Sequence, residues 1–146
     1  MNPSTILALA LVVSAGDITE MIRKDRAALQ GAWKVVAAEN KGEKVPAEDI
    51  KDLYLIFKGD AIYSRQDNKN TEIFSYLLDP SKKPKEIDLT LKVGPQKGRT
   101  ERGIYLLDGD SLKICIQSNK DAARPRDFSS PAGSQISLTV LQRSKE

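Results

Sequence analysis

A closed eight-stranded antiparallel up-and-down β-barrel with a short N-terminal helix is the fold this sequence predicts. Eight short strand-like runs follow one another from Gly31 onward. Turn-forming residues separate most of them. Within the runs the pattern has a period of two, clearest where Ile87, Leu89 and Leu91 alternate with Glu86, Asp88, Thr90 and Lys92. Connections this short favour antiparallel neighbours, and closing the meander removes its exposed edges. A barrel of about eight strands has an interior just wide enough to be filled by side chains or to hold one small ligand.

The elements come in order. Ile6 to Val13 is an uncharged apolar run, followed by the small residues Ser14 and Ala15. It is too short to span a bilayer. It reads as a secretory signal peptide over residues 1–15, cleaved after Ala15, although no Lys or Arg precedes it. An exported protein, periplasmic or extracellular, is therefore expected. With no cysteine at the cleavage point, no stable membrane anchor is expected. Residues 16–146 then make a single domain, a length that needs no disulfide staples.

Asp17 to Leu29 predicts a short amphipathic helix. Asp17 is placed to cap it, with Glu20 completing a capping box and pairing with Lys24. Ile18, Met21, Ile22 and Leu29 share its apolar face, which suits a lid packed on one end of a barrel.

The first strand starts at Gly31, with Trp33, Val35 and Ala37 alternating against Lys34, Val36 and Ala38. Pro46 to Lys51 predicts one helical turn. The further strands are Leu53–Lys58, Ala61–Gln66, Glu72–Leu78, Glu86–Lys92, Arg102–Leu107, Leu112–Gln117 and Gln135–Gln142. Turns are expected at Lys58-Gly59-Asp60, Asp67-Asn68-Lys69-Asn70, Asp79-Pro80, Gly94-Pro95 and Asp108-Gly109-Asp110. The longest gap, Ser118 to Ser134, holds Arg124, Pro125 and Phe128 and reads as a functional loop or lid.

Composition narrows the chemistry. The chain has no histidine and one cysteine, Cys115. Ser-His-Asp and Cys-His catalysis are thereby excluded, as are an intrachain disulfide and a multi-cysteine metal site. Neither a metal nor a cofactor is expected. The net charge is +3, but 23 basic and 20 acidic residues are interspersed and aromatics are only 5%. A nucleic-acid binder clusters its basic residues and adds aromatic platforms, so that role is not expected.

The apparent motifs dissolve into turns. Gly94 to Thr100 has three residues between its glycines, and Arg99 stands where a phosphate-binding loop needs lysine. Asp108-Gly109-Asp110 lacks the ligand span of a calcium loop, and Lys69 occupies a ligand position in the run that starts at Asp67. Cys115 shares a strand face with Lys113 and Gln117 and reads as a packing residue. The carboxylates of Glu72, Asp88, Glu101, Asp108, Asp110 and Asp127 read as solvated charges, not as an acid–base pair.

Gly31-x-Trp33 at the head of the first strand, after a short helix, resembles the lipocalin signature. In that family the tryptophan closes one barrel end, and an arginine beyond the last strand lies across its ring. Arg143 occupies the matching place here, so the resemblance implies structural roles for Gly31, Trp33 and Arg143. Further blocks extend it: Ile87-Asp88-Leu89-Thr90, Gly94-Pro95-Gln96-Lys97-Gly98, the run Gly103 to Cys115, and Arg124-Pro125-Arg126-Asp127-Phe128. In this order they resemble a small lipocalin-like domain family, abundant in planctomycete bacteria, that has no assigned function. The resemblance covers residues 28–143. Family members often carry an export signal, and none of their residues is carried over as catalytic.

The expected function is thus a non-catalytic barrel, not an enzyme, that binds a small apolar or amphipathic ligand at its open mouth. Tyr54, Tyr63, Tyr76 and Tyr105 are candidates to supply apolar bodies with a polar handle. Arg65 and Arg124 are candidates to meet an anionic head group, with Phe128 on the lid. The alternative is a protein-interaction module whose barrel is filled by its own side chains. A cavity of about 300 Å³ or more favours a ligand, whereas a solid core with exposed apolar patches favours a partner.

Overall fold

The structure is a computed structural model that describes residues 14–145. The apolar run Ile6 to Val13 lies outside the described residues. Helix α1 spans Ala15–Leu29. The Ser14 hydroxyl accepts from the Asp17 backbone N–H at 3.3 Å and donates to the Asp17 carboxylate at 3.0 Å. The helix cap therefore sits three residues upstream of the expected one. Asp17 is the third helical position, not the cap, because a serine was available to start the helix earlier. Cleavage after Ala15 would remove this cap. Glu20 pairs with Arg23, one residue nearer than Lys24.

The strands are β1 (Gly31–Asn40), β2 (Glu43–Lys44), β3 (Tyr54–Lys58), β4 (Ala61–Gln66), β5 (Lys69–Asp79), β6 (Lys85–Leu91), β7 (Thr100–Asp108), β8 (Ser111–Gln117) and β9 (Ile136–Arg143). A short helix α2 (Ala47–Ile50) lies between β2 and β3. Every neighbouring pair is antiparallel. β1 also pairs with β9, from Trp33 opposite Arg143 to Asn40 opposite Ser137. That pairing closes β1 and β3 through β9 into an eight-stranded barrel. The two-residue β2 is an extra ribbon on the far half of β1.

Two local features adjust the expected register. Asp67 and Asn68 both adopt positive φ, 52° and 62°, so a two-residue turn suffices between β4 and β5. Lys69 and Asn70 therefore join the strand. In β1 a bulge at Val36 inserts one residue between Val35 and Ala37. The alternation reverses there, so Ala38 rather than Ala37 follows Val35 on the inner face, opposite Thr139. Val36 is left on the outside, 45% exposed.

The core lies inside the barrel. Phe57, Ile62, Ile87, Leu112 and Leu141 are almost fully buried there, with Trp33, Tyr76 and Tyr105 nearer one end.

Candidate functional site

The two ends of the barrel are finished differently. At one end α1 forms a plug. Leu29 and Trp33 are fully buried beneath it, and the Trp33 indole N–H donates to the Leu29 carbonyl at 2.8 Å. The Arg143 guanidinium lies 4.3 Å from the centre of the indole ring. It also donates to the Ala28 and Gln30 carbonyls and to the Asp110 carboxylate, tying β9 to the helix end. Gly31, with φ at 111°, turns the chain from helix into strand beside that guanidinium.

Tyr76 and Tyr105 belong to this plug. The Tyr76 hydroxyl donates to the Gly59 carbonyl at 2.7 Å and accepts from the Gln30 amide. The Tyr105 hydroxyl donates at 2.6 Å to buried Asp25, which also accepts from the Lys85 ammonium at 2.8 Å. Burial first, then the bond to Asp25, holds the Tyr105 phenol far above its ordinary range. Burial also raises Tyr76. Both rings are neutral structural groups whose polar atoms are already paired.

At the other end the barrel is hollow. A cavity of about 340 Å³ opens there, a size within the range of small-molecule sites. Its body is apolar, made by Val35, Leu53, Leu55, Ile62, Phe74, Leu89, Ile114 and Ile116. Ile50 of α2 and Val45 partly roof it. The space exists because small residues occupy the inner face at this level: Ala38 on β1, and Ser137 and Thr139 on β9. Ser118 completes the hydroxyl groups. Two carboxyl-bearing residues, Asp49 and Glu101, stand at the rim, and no Lys or Arg lines the cavity.

None of the seven expected ligand-contacting residues lines this space. The strand register places Tyr54, Tyr63 and Arg65 on the outer face, because their neighbours Leu55, Phe57 and Ile62 point inward. There the Arg65 guanidinium stacks 4.5 Å from the centre of the Tyr54 ring. Tyr76 and Tyr105 are at the plugged end, bonded to Gly59 and Asp25, and neither lines the cavity. Arg124 and Phe128 belong to the segment 118–135, which runs along the outer wall.

That segment is a strap and not a lid over the mouth. Arg124 donates to the Ile87 and Gly103 carbonyls and forms a 2.7 Å ion pair with the outward-facing Asp88. Ser130 accepts from the Gly42 N–H at 3.0 Å and donates to the Ile136 carbonyl. Gly42 is required at this crossing: a Cβ on it would sit 2.6 Å from the Ala132 Cα. The strap covers outward-facing Ile104, Cys115 and Gln117, which are buried as a result. The Cys115 thiol donates to the Ser129 carbonyl, and burial pushes it up to about 11. It is a poor nucleophile at neutral pH.

The lining residues that the sequence reading passed over carried one usable signal. Glu101 shares strand phase with Gly103 and Tyr105, and Ser137 and Thr139 share phase with Leu141. Polar or small residues on an otherwise inward phase mark the hollow level of a barrel. Among the described residues, no group of three or more Cys, Asp or Glu is placed to hold a metal ion.

Fold and site together define a class: a closed antiparallel β-barrel, plugged by a helix at one end and hollow at the other. Comparison with protein-family models, curated proteins and solved structures finds no match for the chain.

Proposed function

We propose that this protein is an exported, non-catalytic, lipocalin-like barrel that binds a small apolar or amphipathic molecule in its open-end cavity. The observation that carries the reading is the contrast within one barrel. Large side chains fill the plugged half, whereas an apolar space of about 340 Å³ is left in the other. An unfilled apolar cavity forgoes dispersion contacts that a ligand would restore. Export is supported by the apolar run ending in Ser14 and Ala15. Among the described residues, no helix is long and apolar enough to cross a membrane.

The interaction-module alternative requires a filled barrel and a contiguous apolar surface. The most exposed large apolar residues, Val36, Leu77, Val93 and Leu106, are spread over different elements. Leu77 faces Asp88 across the ladder, and Leu106 faces Lys113, so each is bordered by charge.

Calorimetric titration with 1-octanol tests the proposal. The protein is expected to take up one equivalent. Ser137→Leu, which fills the cavity from β9, is expected to abolish uptake while the protein stays folded. A folded wild-type protein that takes up no 1-octanol, or a Ser137→Leu variant that binds it unchanged, contradicts the proposal.

A further inference from the structure

The cavity also carries information about the polar end of its ligand. We infer, resting on the reading above, that the site selects a molecule with a protonated amine. The ammonium seats against Glu101, and the apolar body lies among Leu53, Phe74 and Leu89. Glu101 is half-buried near the start of β7, on the inward phase of that strand. Among the described residues its carboxylate has neither an ion-pair nor a hydrogen-bond partner. A partly desolvated carboxylate gains from a hydrogen-bonding counter-ion.

The rest of the lining points the same way. Asp49 adds a second acidic side chain at the rim, and the remaining polar groups are the hydroxyls of Ser118, Ser137 and Thr139. The arginines that would suit an anionic head group are elsewhere. Arg65 stacks on Tyr54 outside the barrel, and Arg124 is spent on the strap. An anionic head group entering the mouth would meet like charge, which costs binding energy.

A matched series reads this out: octylamine, 1-octanol and octanoate, titrated calorimetrically at neutral pH. Octylamine is expected to bind about tenfold more tightly than 1-octanol, as for a hydrogen bond to a charged group. Octanoate is expected to bind more weakly than either. Glu101→Gln should erase the octylamine advantage over 1-octanol. Glu101→Lys should reverse the order of octylamine and octanoate, a result that a merely structural role for Glu101 would not produce. Octanoate binding as tightly as octylamine overturns the inference while leaving the ligand-binding proposal standing. So does an octylamine advantage over 1-octanol that persists in a folded Glu101→Gln variant. Failure of all three compounds overturns both.

Discussion

The plugged end and the open end of this barrel are made by the same eight strands, yet they solve opposite problems. At the plugged end the polar atoms of the large buried rings are paired. Trp33 bonds to Leu29, Tyr76 to Gly59 and Tyr105 to Asp25, while Arg143 is tied to three partners and stacked on the indole. At the open end the inner face carries Ala38, Ser137 and Thr139, and the Glu101 carboxylate is unpaired among the described residues. Stability is concentrated where the polar groups are satisfied, and space is left where they are not. A single closed barrel can thus hold a rigid half and a receptive half without a second domain.

The largest expected effect comes from Trp33. Trp33→Ala should destabilise the protein by about 3–5 kcal/mol, as for other core aromatics. Phe74→Ala, beside the cavity and already half-exposed, should cost about half as much. Urea unfolding of the two variants checks the difference, and equal losses would break the contrast between the ends.

Asp25 comes next. Asp25→Ala leaves the buried Tyr105 hydroxyl without its acceptor and should cost about 1–3 kcal/mol. Adding Tyr105→Phe should cost much less in that background than in the wild type, because the two groups form one unit. A double-mutant cycle with no coupling would contradict the bond as the reason for their burial.

Cys115 sharpens the account through pH. Its thiol is raised from 9.0 in the unfolded reference to about 11 in the fold, so the native state holds the proton more tightly. Stability from this group is fully present below pH 9 and is lost as the pH rises toward 11. The loss should be about 1–2 kcal/mol and absent from Cys115→Ala. Comparing unfolding free energies of the two proteins across that interval isolates the thiol from tyrosines common to both. Matching pH profiles would mean that the strap does not seal Cys115.

The smallest expected effect on binding is at the strap. Arg124→Ala should lower stability by about 1 kcal/mol, through the lost contacts to Ile87, Gly103 and Asp88. It should leave 1-octanol affinity unchanged, since Arg124 does not line the cavity. Weakened binding in a well-folded variant would return the segment to the role of a lid.

The barrel was legible in the sequence because period-two alternation and short turns report the strand order directly. Trp33 and Arg143 were legible through the resemblance to the lipocalin signature, and they sit at the two strand ends whose pairing closes the barrel. The cavity was not legible, for three physical reasons. The bulge at Val36 reversed the phase of β1 and exchanged Ala37 for Ala38 on the inner face. Tyrosines draw attention as ligand contacts, but Tyr76 and Tyr105 have bodies suited to a core and hydroxyls that local acceptors satisfy. The segment 118–135 has the length and composition of a lid, and only its tertiary bonds to β6 and β7 show that it lies along the wall. Glu101 was visible but was read as a solvated charge, since the predicted strand began one residue after it.

The central claim is that the open end receives a ligand and the plugged end does not. Chemical-shift mapping of isotope-labelled protein during titration with 1-octanol tests it most directly. Saturable shifts should concentrate at Ala38, Leu53, Phe74, Glu101 and Thr139, with the Trp33 indole resonance unmoved. Shifts centred on Trp33 or on the strap around Arg124, or no saturable shift anywhere, would contradict it.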